Sequence, residues 1–98
     1  MALHLAELYL NVDSVNRAKE IVQAIDGLLA GNFPPGVTRI AGPWVSNEET
    51  KLIMVLDIED HTTTVGPFLR GITGGHVLRR RFTPIAEWET VKDAIAGL

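Results

Sequence analysis

The segment KLIMVLDIED, residues 51–60, contains five consecutive apolar residues, Leu52 to Leu56. A short apolar run between polar residues is typical of a central β-strand, because strand side chains point alternately to the two faces of the sheet. The run therefore predicts a strand in the middle of a sheet with apolar cover on both faces. The rest of the chain, or a second copy of it, has to supply that cover.

The amino-terminal third of the chain predicts a strand followed by a helix. In LHLAELYLNV, residues 3–12, apolar and polar side chains alternate in the second half, which is typical of a half-buried strand. Apolar residues then recur at helical spacing over residues 15–30. Asp13 and Ser14 supply an N-cap and Gly31 a stop, so this amphipathic helix has a signal at each end.

The second strand, residues 37–46, follows a proline-rich turn and is interrupted by Gly42 and Pro43. Since proline has no N–H to donate to a neighbouring strand, we expect an edge strand or a bend at this point.

Beyond the central strand, residues 61–75 predict only a short or broken helix, since Gly66 and Pro67 disrupt a helix interior. A fourth strand over residues 76–83 and a terminal helix within residues 84–98 complete the chain.

This order of elements, βαββαβ with an extra carboxy-terminal helix, is that of a ferredoxin-like fold. The predicted class is α+β, with a four-stranded antiparallel sheet in the order 4-1-3-2 and the two helices of the repeat on one face. The length of 98 residues suits a single domain, residues 1–98.

The two-residue period of a strand divides the sheet into a helix-covered face and an opposite face. We assign to the helix-covered face the strand residues with the cleaner apolar pattern: Leu8, Leu10, Val12, Ile40, Leu52, Met54, Leu56, Ile58, Leu78 and Phe82. The opposite face then mixes apolar and charged residues: Leu5, Glu7, Tyr9, Asn11, Val37, Arg39, Ala41, Ile53, Val55, Asp57, Glu59, Val77, Arg79, Arg81 and Thr83. A second copy of the same sheet is the simplest cover for such a face, which predicts a homodimer.

Composition excludes several classes of partner. The formal net charge is −3 and the arginines at 79–81 form the only basic cluster, so we expect no nucleic-acid partner. There is no cysteine and the three histidines show no paired spacing, so we expect no disulfide, no metal and no cofactor. No apolar run approaches the roughly 20 residues of a membrane span, and MALHLAELYL lacks the basic segment of a signal peptide. We therefore expect a cytoplasmic protein without a membrane partner.

Six side chains are candidates for binding a small organic ligand: Glu7, Tyr9, Asp57, His76, Arg79 and Arg81. All except His76 lie on the opposite face, where arginines suit an anionic or carbonyl-bearing molecule and a carboxylate can accept a proton. The competing interpretation is a salt-bridge network that only joins two copies of the chain. His76, at the start of the fourth strand, is either a general base or a histidine of a surface loop.

Arg80 breaks the apolar pattern of the helix-covered face, since it stands between Leu78 and Phe82. An unpaired buried charge is costly, so we expect Arg80 to extend past the sheet edge or to pair with an acid.

Four short motifs resemble a family of uncharacterised bacterial proteins in the dimeric α+β-barrel superfamily: PPGV before a strand, GPW, IED at a strand end and FTPI at the end of the last strand. The resemblance covers about residues 33–85. It implies a ferredoxin-like protomer that pairs sheet face to sheet face and forms a barrel able to enclose a small ligand. Members include cofactor-independent monooxygenases, haem-degrading enzymes, lactone isomerases and ligand-sensing modules, so the fold implies no single activity.

Haem-handling relatives use an Asn, a Trp and a His, and Asn11, Trp44 and His76 are present here, but their spacing matches no recognised signature. The sequence thus predicts a homodimeric protein that binds a small molecule in a barrel cavity, between the sheet and either the second helix or the partner sheet. It leaves open whether the protein is also a cofactor-independent enzyme. The alternatives are a non-catalytic ligand-sensing or protein-interaction module and a purely structural assembly protein.

Overall fold

The computed structural model describes all of residues 1–98. Its elements follow in the order β1 (Leu3–Leu10), α1 (Val15–Leu29), β2 (Val37–Val45), β3 (Lys51–Ile58), a 3-10 turn (His61–Thr64), α2 (Val65–Thr73), β4 (Val77–Pro84) and α3 (Trp88–Ala96). The predicted α+β class and order of elements are confirmed.

The four strands form one sheet in the order β2-β3-β1-β4. Every neighbouring pair is antiparallel, and Glu7 in the middle of β1 lies opposite Ile53 of β3 and Arg81 of β4. This is the predicted 4-1-3-2 order read from the other edge, and it fits a ferredoxin-like arrangement.

The protein's core lies between the sheet and the helices α1 and α2. Along β3, buried residues alternate with half-buried ones, and the buried set is Leu52, Met54, Leu56 and Ile58. Apolar residues of α1, including Ile25 and Leu28, pack against this cluster. The other face of β3 carries Ile53 and Val55, which stay half-buried because no helix of the chain covers them. The predicted cover on both faces is therefore present on one face only.

The amino-terminal ends of α1 and α2 follow from their local sequence. The Ser14 hydroxyl accepts a hydrogen bond from the Arg17 amide at 3.1 Å and caps α1. Gly66 and Pro67 do not break α2, because they stand in its first turn. The N–H groups of a first turn have no partner within the helix, so the missing N–H of proline removes no hydrogen bond there.

The bend predicted in the second strand is present, and β2 is an edge strand. Its pairing with β3 shifts between Arg39 and Ala41 and again before Trp44. Gly42 has a φ of 88°, and a Cβ at this position would lie 2.9 Å from the Ile53 carbonyl oxygen. Only glycine fits this close approach of the two strands.

The face assignment is wrong at the start of β2. Val37 and Arg39 are paired with Ile58 and Leu56, which are buried on the helix-covered face, and Val37 itself is buried. Ile40, assigned to that face, is 46 % exposed. The reason is the bulge that follows, since one extra residue in a strand reverses the alternation of its side chains.

The same error occurs where β1 meets β4. The register shifts between Tyr9 and Leu10, so that Leu10 pairs with Val77. Val77 consequently faces the helices, whereas Leu78, assigned to the core, is 63 % exposed. Val12 lies beyond the end of β1 and is also exposed.

Helix α3 extends away from the rest of the chain. None of its residues is buried, and Trp88 and Ile95 are 66 % and 58 % exposed. The radius of gyration is 15.2 Å, against about 13 Å for a compact chain of 100 residues. An amphipathic helix with an exposed apolar side is thus left without a partner in its own chain. None of the helices has the length and apolar composition needed to cross a membrane.

Candidate functional site

The structure divides the six predicted ligand residues between the two sides of the sheet. We call the side without helices the open face; its strand residues are Leu3, Leu5, Glu7, Tyr9, Thr38, Ala41, Trp44, Lys51, Ile53, Val55, Asp57, Arg79, Arg81 and Thr83. Five of the six candidates belong to it. His76 lies on the helix side and takes no part in their constellation.

Glu7 is the centre of the polar cluster on the open face. Its carboxylate is buried and lies 2.5 Å from the Lys51 ammonium. Arg81 is its neighbour in the β1–β4 register, but the ion pair is made with Lys51. The faces predicted from sequence did not include Lys51, although the two-residue period of β3 places it on the same side as Ile53.

Tyr9 lies between two cations on the same face. Its ring centre is 3.8 Å from the Arg79 guanidinium carbon and 5.4 Å from Lys51 Nζ, which are cation–π contacts. Glu7, Tyr9, Lys51 and Arg79 therefore hold one another in place. Within one chain the cluster therefore joins neighbouring strands, which favours a structural role over an open ligand site; whether it also joins two copies of the chain stays a prediction.

Asp57 is not part of this cluster. It is paired with Leu3, whereas Glu7 is paired with Ile53, four residues away on β3 and so roughly 13 Å distant. Its carboxylate accepts a hydrogen bond of 2.9 Å from the Ala2 amide and anchors the start of the chain.

Pairing of Glu7 with Lys51 shifts the pKa of both groups. The hydrogen bond from Lys51 holds the pKa of the Glu7 carboxyl below its ordinary value, although burial opposes the shift. The same hydrogen bond raises the pKa of Lys51 above its ordinary value. Each charge is thus stabilised in the folded protein relative to the unfolded chain.

We expect Glu7→Gln to weaken the acid sensitivity of stability. With a pKa lowered by folding, ionised Glu7 stabilises the fold above the ordinary carboxyl pKa of about 4.3, and this stabilisation is lost as the pH falls through the lowered value. The variant should be less stable than wild type at neutral pH and lose less stability on acidification. Urea unfolding at neutral pH and at about pH 3 measures the difference.

Glu49→Gln is the matched control for this experiment. Glu49 lies 3.9 Å from the same lysine, but its side chain is 54 % exposed. The Glu49→Gln variant should lose as much stability on acidification as the wild type does. Equal loss of stability on acidification in wild type and Glu7→Gln would show that the Glu7–Lys51 pair is not a source of stability.

A cavity of about 210 Å³ lies on the helix side, between the sheet and the helices α1 and α2. Its wall is mostly apolar and includes Leu8 and Phe82 from the sheet, Ala24 and Ile25 from α1, and Phe68 from α2. Only three lining side chains carry a charge or a hydrogen-bonding group: Thr64, His76 and Arg80. An apolar wall with a few polar groups is the usual composition of a small-molecule site.

The sequence predicted that Arg80 extends past the sheet edge or pairs with an acid. It does neither, so this prediction is wrong. Its guanidinium carbon lies 4.4 Å from the Phe68 ring centre and 4.6 Å from that of Phe82. Nη1 donates to the Thr64 carbonyl oxygen at 3.1 Å and to the Thr64 hydroxyl at 2.7 Å. Two aromatic faces and one buried threonine hold the charge at the cavity wall. The signal in the sequence was the misfit of an arginine between apolar neighbours.

His76 lies on the same wall and is held by a turn. Its Nε2 is 3.1 Å from the Glu20 carboxylate, and the Asn11 side-chain amide donates to the neighbouring Gly75 carbonyl at 3.0 Å. The prediction of a surface loop histidine describes its position only in part, because the ring also lines the cavity.

The residues considered for haem do not converge. Asn11 and His76 are neighbours through a hydrogen bond between their main chains. Trp44, however, lies on β2, the edge strand farthest from β4. These three residues therefore do not form one haem pocket, and no three His, Asp or Glu side chains come together as a set of metal ligands.

Two arrangements result: a self-paired polar cluster on the open face, and an apolar cavity with one fixed cation and one imidazole on the helix side. Comparison with known proteins adds no assignment to either, since no family model, no curated protein and no solved structure matches the chain.

Proposed function

We propose that this protein is a homodimer that binds a small organic molecule in the helix-side cavity. The observation that carries the proposal is the cavity itself, with an apolar wall interrupted by Arg80 and His76. Burying the apolar part of a ligand there contributes about 25 cal/mol per Å² removed from water. The absence of cysteine is consistent with a protein of the cytoplasm, where we place it.

A second copy of the chain is the partner that fits the open face. The face has an apolar centre, Ile53 and Val55, that remains half-exposed in one chain. Arg79 and Arg81 make no ion pair within the chain, and neither do Glu87 and Asp93 of the α3 segment. A dimer that pairs sheet face to sheet face, as in the α+β barrels that the sequence resembles, covers the apolar centre and brings such charges together.

Catalysis is the second candidate, and His76 is the observation that favours it. A cavity-lining imidazole oriented by Glu20 has the arrangement of a general base. A ligand-sensing module, in contrast, binds its ligand without a proton transfer to His76. A ligand recovered chemically unchanged after prolonged incubation with the protein would contradict catalysis and leave the sensing role.

We expect toluene, a neutral apolar probe, to bind wild type and to shift the NMR signals of cavity methyl groups such as those of Leu8 and Ile25. Ala24→Phe should abolish these shifts, because Ala24 lines the cavity from α1 and an added ring fills it. Gln23→Phe is the matched control, since Gln23 is exposed on the same helix and does not line the cavity. Toluene that shifts no cavity methyl in wild type, or binding that survives Ala24→Phe, would overturn the proposal.

A further inference from the structure

The geometry points to a ligand of one chemical class: an organic carboxylate whose apolar part lies in the cavity and whose anionic group binds Arg80. This inference rests on the proposed binding function and extends it from a cavity to a ligand type. It uses none of the five open-face residues that the sequence suggested as ligand contacts.

Arg80 is held in one orientation before any ligand arrives. Phe68 and Phe82 contact the guanidinium from α2 and from the sheet, with ring centres 4.4 and 4.6 Å from its central carbon. The two hydrogen bonds of Nη1 to Thr64 fix the plane of the group. Because Thr64 is itself buried and its hydroxyl donates to the His61 carbonyl oxygen at 2.7 Å, this support is rigid. A fixed guanidinium loses little conformational freedom on binding an anion.

The positive charge of Arg80 has no counter-charge in the protein. No carboxylate lies within 4.0 Å of it, and two acids of the amino-terminal segment are paired with other groups, Glu20 with His76 and Asp13 with Arg17. Burial lowers the pKa of Arg80 from its ordinary value, yet a guanidinium stays protonated at neutral pH. The fold therefore retains a partly buried cation that an anion would stabilise.

Arg80 also keeps free donors on the side needed for a carboxylate. Both of its hydrogen bonds to protein come from Nη1, and neither Nε nor Nη2 makes one. Nε and Nη2 together form the fork that binds the two oxygens of a carboxylate in parallel.

The cavity limits the size of the apolar part. Its volume is about 210 Å³, and an apolar cavity of about 150 Å³ holds a benzene molecule. The site therefore takes one aromatic ring with a short chain, or a branched aliphatic group of similar size, next to the carboxylate.

The test compares 3-phenylpropanoate with its neutral counterpart 3-phenylpropanamide by isothermal titration calorimetry at neutral pH. Wild type should bind the carboxylate about tenfold or more tightly than the amide, as expected for a hydrogen-bonded charge pair. Arg80→Met should remove this preference and leave the Kd of the amide nearly unchanged. Arg70→Met should behave as wild type, since Arg70 is exposed on α2 and outside the cavity wall. Arg80→Gln, which keeps a polar side chain without the charge, should match Arg80→Met, and an unchanged Kd of the amide in both variants excludes a loss caused by local unfolding.

The outcomes separate this inference from the proposed function. Equal affinity for carboxylate and amide in wild type, or a preference that survives both Arg80 variants, overturns the assignment of ligand class while toluene binding stands. Sodium acetate that binds as tightly as 3-phenylpropanoate also overturns it, because the apolar cavity would then contribute nothing. If toluene and both phenylpropanoid probes fail to bind wild type, the proposed function fails together with the inference.

Discussion

Met54→Ala is expected to lower the free energy of unfolding by about 2–5 kcal/mol. Met54 lies in the middle of β3, is 2 % exposed and belongs to the buried cluster that α1 packs against. Truncation removes buried apolar contacts and leaves a void that the neighbouring strands cannot fill, because their pairing fixes their spacing. For a chain of this size the melting temperature should fall by roughly 10 °C or more.

The same substitution also tests the cavity, since Met54 forms part of its wall. The void should enlarge the cavity, so toluene should raise the melting temperature of Met54→Ala by more than it raises that of wild type. Leu69→Ala is the control, because Leu69 is 53 % exposed on α2 and away from the cavity. Leu69→Ala should lower the free energy of unfolding by only about 0.5 kcal/mol, the usual size for a surface position. Urea unfolding measures the free energy of unfolding, and calorimetry measures the melting temperature with and without toluene. Equal destabilisation by Met54→Ala and Leu69→Ala would show that the core is not centred on β3.

Val55→Lys is expected to convert the proposed homodimer into a monomer without unfolding the protomer. Val55 lies at the centre of the open face, opposite Leu5 of β1 and Ala41 of β2. Within one chain this face is open to water, so a lysine there is solvated and the protomer keeps its fold. In a dimer the ammonium would have to lose its water without gaining a partner, which is costly. Light scattering should give twice 10.7 kDa for wild type and 10.7 kDa for the variant.

Val22→Lys makes the same chemical change on the outer side of α1, where Val22 is 57 % exposed. It should remain dimeric. A wild-type protein that is monomeric at micromolar concentration would contradict the dimer itself. A dimer that persists in Val55→Lys would show that the two copies meet through another surface, of which α3 with its exposed Trp88 is the next to examine.

We expect the proposed dimer interface and the cavity to be independent, because they lie on opposite sides of the sheet. Val55→Lys should therefore leave toluene binding intact, and Ala24→Phe should leave the mass unchanged. A linked loss of both would indicate that the sheet transmits a change between its faces.

Local sequence patterns were sufficient for the secondary structure. The apolar run at 52–56, the N-cap at Ser14 and the stop after α1 led to elements whose ends differ from the observed ones by a few residues. The strand order followed from the βαββαβ sequence of elements, since few topologies connect them without crossing. The faces of β2 and β4 did not follow, because a bulge is a matter of how two strands meet.

The candidate site was predicted less well than the fold. Reasoning from alternation placed Glu7, Tyr9, Arg79 and Arg81 together on one face, and the register confirms this. It could not show that Lys51 neutralises Glu7, because that contact depends on which residue of β3 lies beside β1.

The sequence by itself determined which segments are strands and helices, which faces of β1, α1 and β3 are apolar, and that Arg80 stands between apolar neighbours. These properties depend on side-chain spacing over a few residues. Only the tertiary structure decided what Arg80 does there, since Phe68 and Thr64 reach it from other elements and join Phe82 of its own strand. In the sequence Arg80 is only a charge between apolar residues, whereas in the folded protein these contacts fix it as a cation at the wall of the cavity.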